Sequence, residues 1–122
     1  MKAILLVSHG SRSSKTKEEV ATLVETLRKR VKADIFEFAF LELESPGIPE
    51  GINTCAAKGA DQIIILLNFL NSGRHVDTDI PAIVREAQNK YPRVRFSITT
   101  PIGQHVRIAD LFADLIHEQN IF

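Results

Sequence analysis

Solidly apolar runs alternate with amphipathic ones along this chain. Residues 3–7 are apolar without a break and stop at Ser8-His9-Gly10. Such a run suits a central parallel strand buried on both faces. Val20, Leu23, Val24, Leu27 and Val31 then fall at helical spacing. They predict a helix over about 15–32, opened by a capping box at Thr16 and Glu19. Residues 33–41 read as a second strand, rich in phenylalanine but interrupted by Asp34 and Glu37. A short helix follows, entered at Pro46 or Pro49, with Ile48, Ile52, Cys55 and Ala56 inward and Gly59 as its stop. Residues 63–67 form a third, solidly apolar strand. A loop over 68–77 leads to a helix at about 79–91, capped by Asp77 or Thr78, with Ile80, Ile83, Val84 and Ala87 inward. Residues 93–98 alternate strictly, the pattern of a half-exposed edge strand. A last helix over about 104–118 is expected to bury Val106, Ala109, Phe112, Leu115 and Ile116.

Strict β-α alternation means a parallel sheet with helices on both faces and right-handed crossovers. The first and third strands are the most apolar and belong in the middle, while the two mixed strands belong at the edges. The fold class is therefore α/β, flavodoxin-like, with a four-stranded parallel sheet in the order 2-1-3-4. Ligands of such sheets bind beyond the carboxyl ends of the strands, where the chain direction reverses. His9 lies just past the first strand, Glu42 at the end of the second, and His75 in the loop after the third. Topology thus brings three metal-ligating side chains to one edge.

Composition narrows the classes. A chain of 122 residues is read as one domain over 1–122. With 15 basic and 15 acidic residues it has no basic excess, which argues against nucleic acid as a partner. No apolar run reaches membrane-spanning length, and no signal peptide is expected. The single cysteine, Cys55, has no internal partner and fits a reducing cytoplasm; it is most simply a small core residue. There is no Cys-x-x-Cys pair, Walker loop, G-x-G-x-x-G or G-x-S-x-G, so thiolate zinc, nucleotide and esterase chemistry lack their usual residues.

Two imidazoles and a carboxylate form a mixed nitrogen and oxygen set suited to divalent transition metals, and the imidazoles also accept protons near neutral pH. Glu42 and Glu44 have the plainer reading of solvated loop carboxylates. Arg12, Lys15, Arg74 and Arg107 stand near the same edge; arginine forks suit carboxylates, and solvated surface charge is the alternative for each. His105 opens the last helix on that edge and either touches substrate or caps. His9 as a phosphoryl-accepting nucleophile is a further alternative, although the arginine that precedes His-Gly in phosphohistidine enzymes is absent.

The segments Leu5-Leu-Val-Ser-His-Gly-Ser-Arg12, Phe40-Leu-Glu-Leu43 and Gly73-Arg-His-Val-x-x-Asp-Ile-Pro81 resemble, in order and spacing, the CbiX/SirB sirohydrochlorin chelatases. These are class II chelatases. The resemblance implies a lyase that inserts cobalt, iron or nickel, as substrate, into the tetrapyrrole sirohydrochlorin, with no organic cofactor. Cobalamin, siroheme and the methanogen nickel cofactor are the products such metal insertion leads to. It implies the short, single-domain form, in which two copies pair as a homodimer. Carried over, His9 and His75 are the catalytic metal ligands and proton acceptors, Glu42 joins them as a ligand, and Pro101 to His105 matches a late Pro-x-Gly-x-His segment. Arg12, Lys15, Arg74 and His105 are then the residues expected to meet the substrate's carboxylates. Asn71-Ser-Gly-Arg74 departs from the small or apolar residues usual in that loop and sets Arg74 beside the site. A non-catalytic metal or tetrapyrrole binder with the same fold is the alternative.

Overall fold

The computed structural model describes residues 1–120. Four parallel strands form one sheet: β1 (Lys2–Ser8), β2 (Ile35–Phe40), β3 (Gln62–Leu67) and β4 (Arg95–Ile98), in the order β2-β1-β3-β4. The helices are α1 (Ser14–Arg30), α2 (Ile48–Ala57), α3 (Ile80–Lys90) and α4 (Ile108–His117). The sheet order and the four-helix alternation are those the apolar pattern predicts.

Side chains of β1 alternate between two cores. Ala3, Leu5 and Val7 pack with Ile48, Ile52 and Cys55 of α2 and Ile80 and Val84 of α3. Ile4 and Leu6 pack with Val20 and Val24 of α1 and with Phe36 and Phe40. Both faces of β1 are closed to water, which explains its unbroken apolar run. On β3 the two faces differ. Ile63, Ile65 and Leu67 are buried on the α2–α3 side, whereas Ile64 and Leu66 are only partly covered on the α1 side.

The last helix departs from expectation. Among the described residues nothing buries its apolar face: Leu111, Phe112, Leu115 and Ile116 are all about half exposed, and Ala109 is exposed too. Val106, expected inside, lies ahead of the helix at 86% exposure. Within the chain α4 is held mainly by the 3₁₀ turn at Ile102–Gln104. Helical periodicity reports that one side of a helix is apolar, and not which surface covers that side.

Smaller departures concern helix starts. Ser13, not the Thr16–Glu19 box, caps α1, its Oγ accepting from the Lys15 amide at 3.3 Å. Leu23 and Val31, expected inward on that helix, are over 40% exposed. Gly47 caps α2, so Pro49 takes the second helical position and Pro46 lies outside. Before α3 the loop closes in a π turn over His75–Asp79, so helical backbone starts at the histidine, inside the expected loop. Pro81 has no N–H to donate to the Asp77 carbonyl, and the Ile80 amide reaches back five residues to the His75 carbonyl.

Candidate metal centre

The strand ladder itself places the first two site residues. Ser8 pairs with Phe40 at the end of β1, and the bonding continues past both strands: the Leu41 amide donates to Ser8 and the Glu42 amide to the His9 carbonyl at 3.0 Å. Glu42 therefore runs alongside His9. Gly10 makes this approach possible. Its φ is +106°, and a Cβ there would lie 1.8 Å from the Glu42 carbonyl oxygen. Glu44 braces the same pair of loops by accepting from the Ser11 amide at 2.8 Å. The two carboxylates are thus divided between tasks, and only Glu42 faces the histidines.

The third residue comes from the loop after β3. That loop is pinned where Gly103 donates its amide to Phe69 at 3.0 Å, its Cα so close that a Cβ would strike the Leu70 carbonyl. Beneath it the Asn68 amide group donates to the Ser8 hydroxyl at 2.9 Å, tying the ends of β3 and β1 together. The imidazoles of His9 and His75 then face one another with ring centroids 5.2 Å apart and planes tilted by 55°. One ligand atom from each of His9, Glu42 and His75 can be chosen so that all lie within 4.8 Å of one another. Imidazole and carboxylate bind divalent transition metals at about 2.0–2.2 Å. Closing on one ion needs only small rotations of side chains that are 45%, 50% and 45% exposed.

Each imidazole has polar neighbours on its ring nitrogens. His9 Nδ1 lies 3.2 Å from the Gly10 carbonyl. Its Nε2 is 2.7 Å from Glu42 Oε1, within hydrogen-bonding distance. His75 Nδ1 is 2.9 Å from Asp79 Oδ2. The nitrogen left to His75 for an ion is Nε2. Beside His9 an open cleft of about 430 Å³ runs along α1, lined by Thr16, Glu19, Val20, Leu23 and Asn68.

The chain matches the CbiX family model over residues 3–119. It belongs to the CbiX family. It is 34% identical to a sirohydrochlorin ferrochelatase of Priestia megaterium over 99% of its own length, but spans only 46% of that relative. It is 31% identical to a sirohydrochlorin cobaltochelatase of Sulfurisphaera tokodaii, over 97% of this chain and 93% of the relative. Among solved structures, the sirohydrochlorin chelatase SirB of Bacillus subtilis subspecies spizizenii in complex with cobalt superposes with a TM-score of 0.88 at 33% identity, over 96% of this chain and 50% of that one. The CbiX chain thus spans about half the length of several relatives it matches.

The remaining expected site residues of this CbiX chain sit less centrally. Arg12, Lys15 and Arg74 are exposed and form no ion pair among the described residues. Arg74 immediately precedes the π turn that holds His75. His105 stands outside the three-residue cluster; it lies ahead of α4 rather than in its first turn, its Nδ1 accepts from the Arg107 amide at 3.1 Å without capping the helix, and it lines a small cleft with Leu66, Leu67 and Thr99. Sequence reasoning missed Asp79, Glu44 and the Ser8–Asn68 link. A signal existed for Asp79, which stands four residues after a histidine on helical backbone. Polar residues closing two apolar strands, Ser8 and Asn68, were a signal as well.

Proposed function

We propose that the chain is a sirohydrochlorin chelatase that inserts a divalent metal ion, cobalt, iron or nickel, into the tetrapyrrole. The observation that carries this reading is the convergence of His9, Glu42 and His75 at the carboxyl edge of the sheet, in a family whose named members are sirohydrochlorin ferrochelatases and cobaltochelatases. The chemistry needs an ion stripped of part of its water, presented to the ring face, and two pyrrole protons removed. His9 and His75 hold the ion. Glu42 neutralises part of its charge, and the ion replaces the direct contact between Glu42 Oε1 and His9 Nε2. As the metal passes to the pyrrole nitrogens, the freed imidazoles and carboxylate accept the ring protons, so one divalent ion in is balanced by two protons out. A three-ligand, half-exposed site leaves coordination positions for the incoming ring, which a closed four-ligand site would not. Arg12, Lys15 and Arg74 meet the ring's carboxylates as charge partners, and His105 contributes a further polar contact to the ring.

Insertion is measured from the absorbance change of sirohydrochlorin with cobalt(II), iron(II) or nickel(II). The wild type should exceed the uncatalysed rate, and His9→Ala and His75→Ala should each lose most of the excess. Wild-type rates equal to the background, with cobalt still bound, would instead establish a binding protein.

The active form is a homodimer of one-domain chains. Two observations support this: α4 presents an uncovered apolar face, and relatives such as the Priestia megaterium protein are about twice as long as this chain. A cytoplasmic setting accords with the buried free thiol of Cys55 and with no described helix being long and apolar enough to cross a membrane.

A further inference from the structure

We propose that Asp79 is a positioning residue that fixes the tautomer and ring orientation of His75, so that His75 Nε2 is presented to the metal. The inference rests on the metal-centre reading above and assigns a role within it.

Asp79 immediately precedes α3, where a carboxylate ordinarily caps the helix by accepting from its free amides. This one makes no capping bond. The reason lies in the turn before it. Because the π turn runs straight into α3, the Ile80 amide is already taken by the His75 carbonyl, and Pro81 has no amide to offer. The carboxylate is therefore released from capping. Its Oδ2 instead lies 2.9 Å from His75 Nδ1, one helical turn back on the same face. A carboxylate in that place accepts a hydrogen and so holds it on Nδ1, leaving the lone pair on Nε2. It also stops the ring from rotating and makes the imidazole a stronger donor to metal, the general role of carboxylates behind metal-bound histidines. Among the described residues His9 has no such partner; its Nδ1 meets the neighbouring Gly10 carbonyl. The centre then has one histidine locked from behind and one shared with Glu42.

Removing such a partner costs about 10–100-fold in metal affinity. A neutral hydrogen bond is roughly half as strong as a charged one, so Asp79→Asn should lose about 3–10-fold. The experiment is cobalt(II) titration of the full chain, with long-range ¹H–¹⁵N spectra of the imidazoles before metal is added. The His75 signal is assigned by its disappearance in His75→Ala. Wild type should show His75 with hydrogen on Nδ1. Asp79→Ala should shift it towards hydrogen on Nε2 and weaken cobalt binding about 10–100-fold, with Asp79→Asn between. Asp77→Ala, an exposed carboxylate in the same turn, should stay within about twofold of wild type.

A wild-type tautomer and affinity in Asp79→Ala, where His75→Ala loses cobalt, would overturn the inference alone. Equal damage from Asp77→Ala would do the same, since the effect would then belong to the turn. If His75→Ala binds cobalt as wild type does, the metal-centre reading and this inference fall together. Should Asp79→Ala not fold, Asp79→Asn decides: affinity within about twofold of wild type overturns the proposal.

Discussion

Gly10→Ala tests whether backbone contact between two strands sets the geometry of the centre. The substitution acts in two ways. A side chain at φ +106° is strained, at about 1–3 kcal/mol. The added Cβ would also lie 1.8 Å from the Glu42 carbonyl oxygen, so the two loops must part by at least about 1.2 Å to reach an acceptable contact. That movement stretches the 3.0 Å bond from the Glu42 amide to the His9 carbonyl beyond hydrogen-bonding range, at about 1 kcal/mol. Together these predict destabilisation of about 2–4 kcal/mol, read as a urea midpoint lower by about 1–2 M for a chain of this size. The same movement draws Glu42 Oε1 away from His9 Nε2, now 2.7 Å apart, and cobalt affinity should fall by about tenfold or more. Gly59→Ala is the matched control. Its φ is +101°, but a Cβ there would meet only the Met1 sulfur at 3.3 Å. It should show the strain cost and leave cobalt affinity unchanged. If Gly10→Ala binds cobalt within about twofold of wild type and unfolds at the same urea concentration, the close approach does not shape the site.

Other expectations follow from single features. Burial, reinforced by the Glu37 carboxylate, pushes the Cys55 thiol from 9.0 up to about 11, although Lys58 opposes it. The folded chain therefore holds this proton where the unfolded chain has lost it, so stability should fall as pH rises from about 9 to 11, by about 2–3 kcal/mol. Cys55→Ala should flatten that slope in pH-dependent urea unfolding, and an unchanged slope would refute the assignment. Ile52 is fully buried between α2 and the sheet, and Ile52→Ala should cost about 2–5 kcal/mol in the same assay. Leu115→Glu, on the uncovered face of α4, should convert a sedimenting dimer into a monomer while leaving the far-ultraviolet circular dichroism unchanged. A wild-type monomer would remove the dimer, and a dimer that survives the substitution would move the interface elsewhere.

How far the sequence could be read depended on where each side chain's partner lies. The unbroken run over residues 3–7 announced a strand covered on both faces, and β1 is that strand. His9, Glu42 and His75 were legible as neighbours because each follows an apolar run, and parallel strands bring such ends to one edge. What covers α4 was not legible, because an apolar stripe looks the same whether its cover is the home sheet or another surface. The cap of α1 was misplaced because Thr16 and Glu19 match a capping box in spacing, while Ser13, three residues earlier, holds the cap. Asp79 was hidden for a related reason. The cap was expected at Asp77 or Thr78 and Asp79 inside the helix, whereas the π turn over His75–Asp79 brings its carboxylate to His75.

The distribution of bracing explains how a centre can be shaped and still give its ion away. Each proposed ligand sits at the end of a different structural segment, and each segment is fixed by a group outside that set. Gly10 admits the Glu42 backbone, Glu44 ties Ser11 to the loop after β2, and the Asn68–Ser8 bond joins β3 to β1. Rigidity is thus supplied from below, by backbone and partly buried polar bonds, while the three ligand side chains stay about half exposed above it. In the proposed function, an ion held by three half-exposed ligands would keep open positions through which tetrapyrrole nitrogens replace the ligands one at a time, so that no step requires a bare ion. Deepening the site with a fourth protein ligand would raise affinity and remove the position the ring must use. The proposed function therefore predicts that tighter cobalt binding and slower insertion go together, because the same open position serves both release and attack.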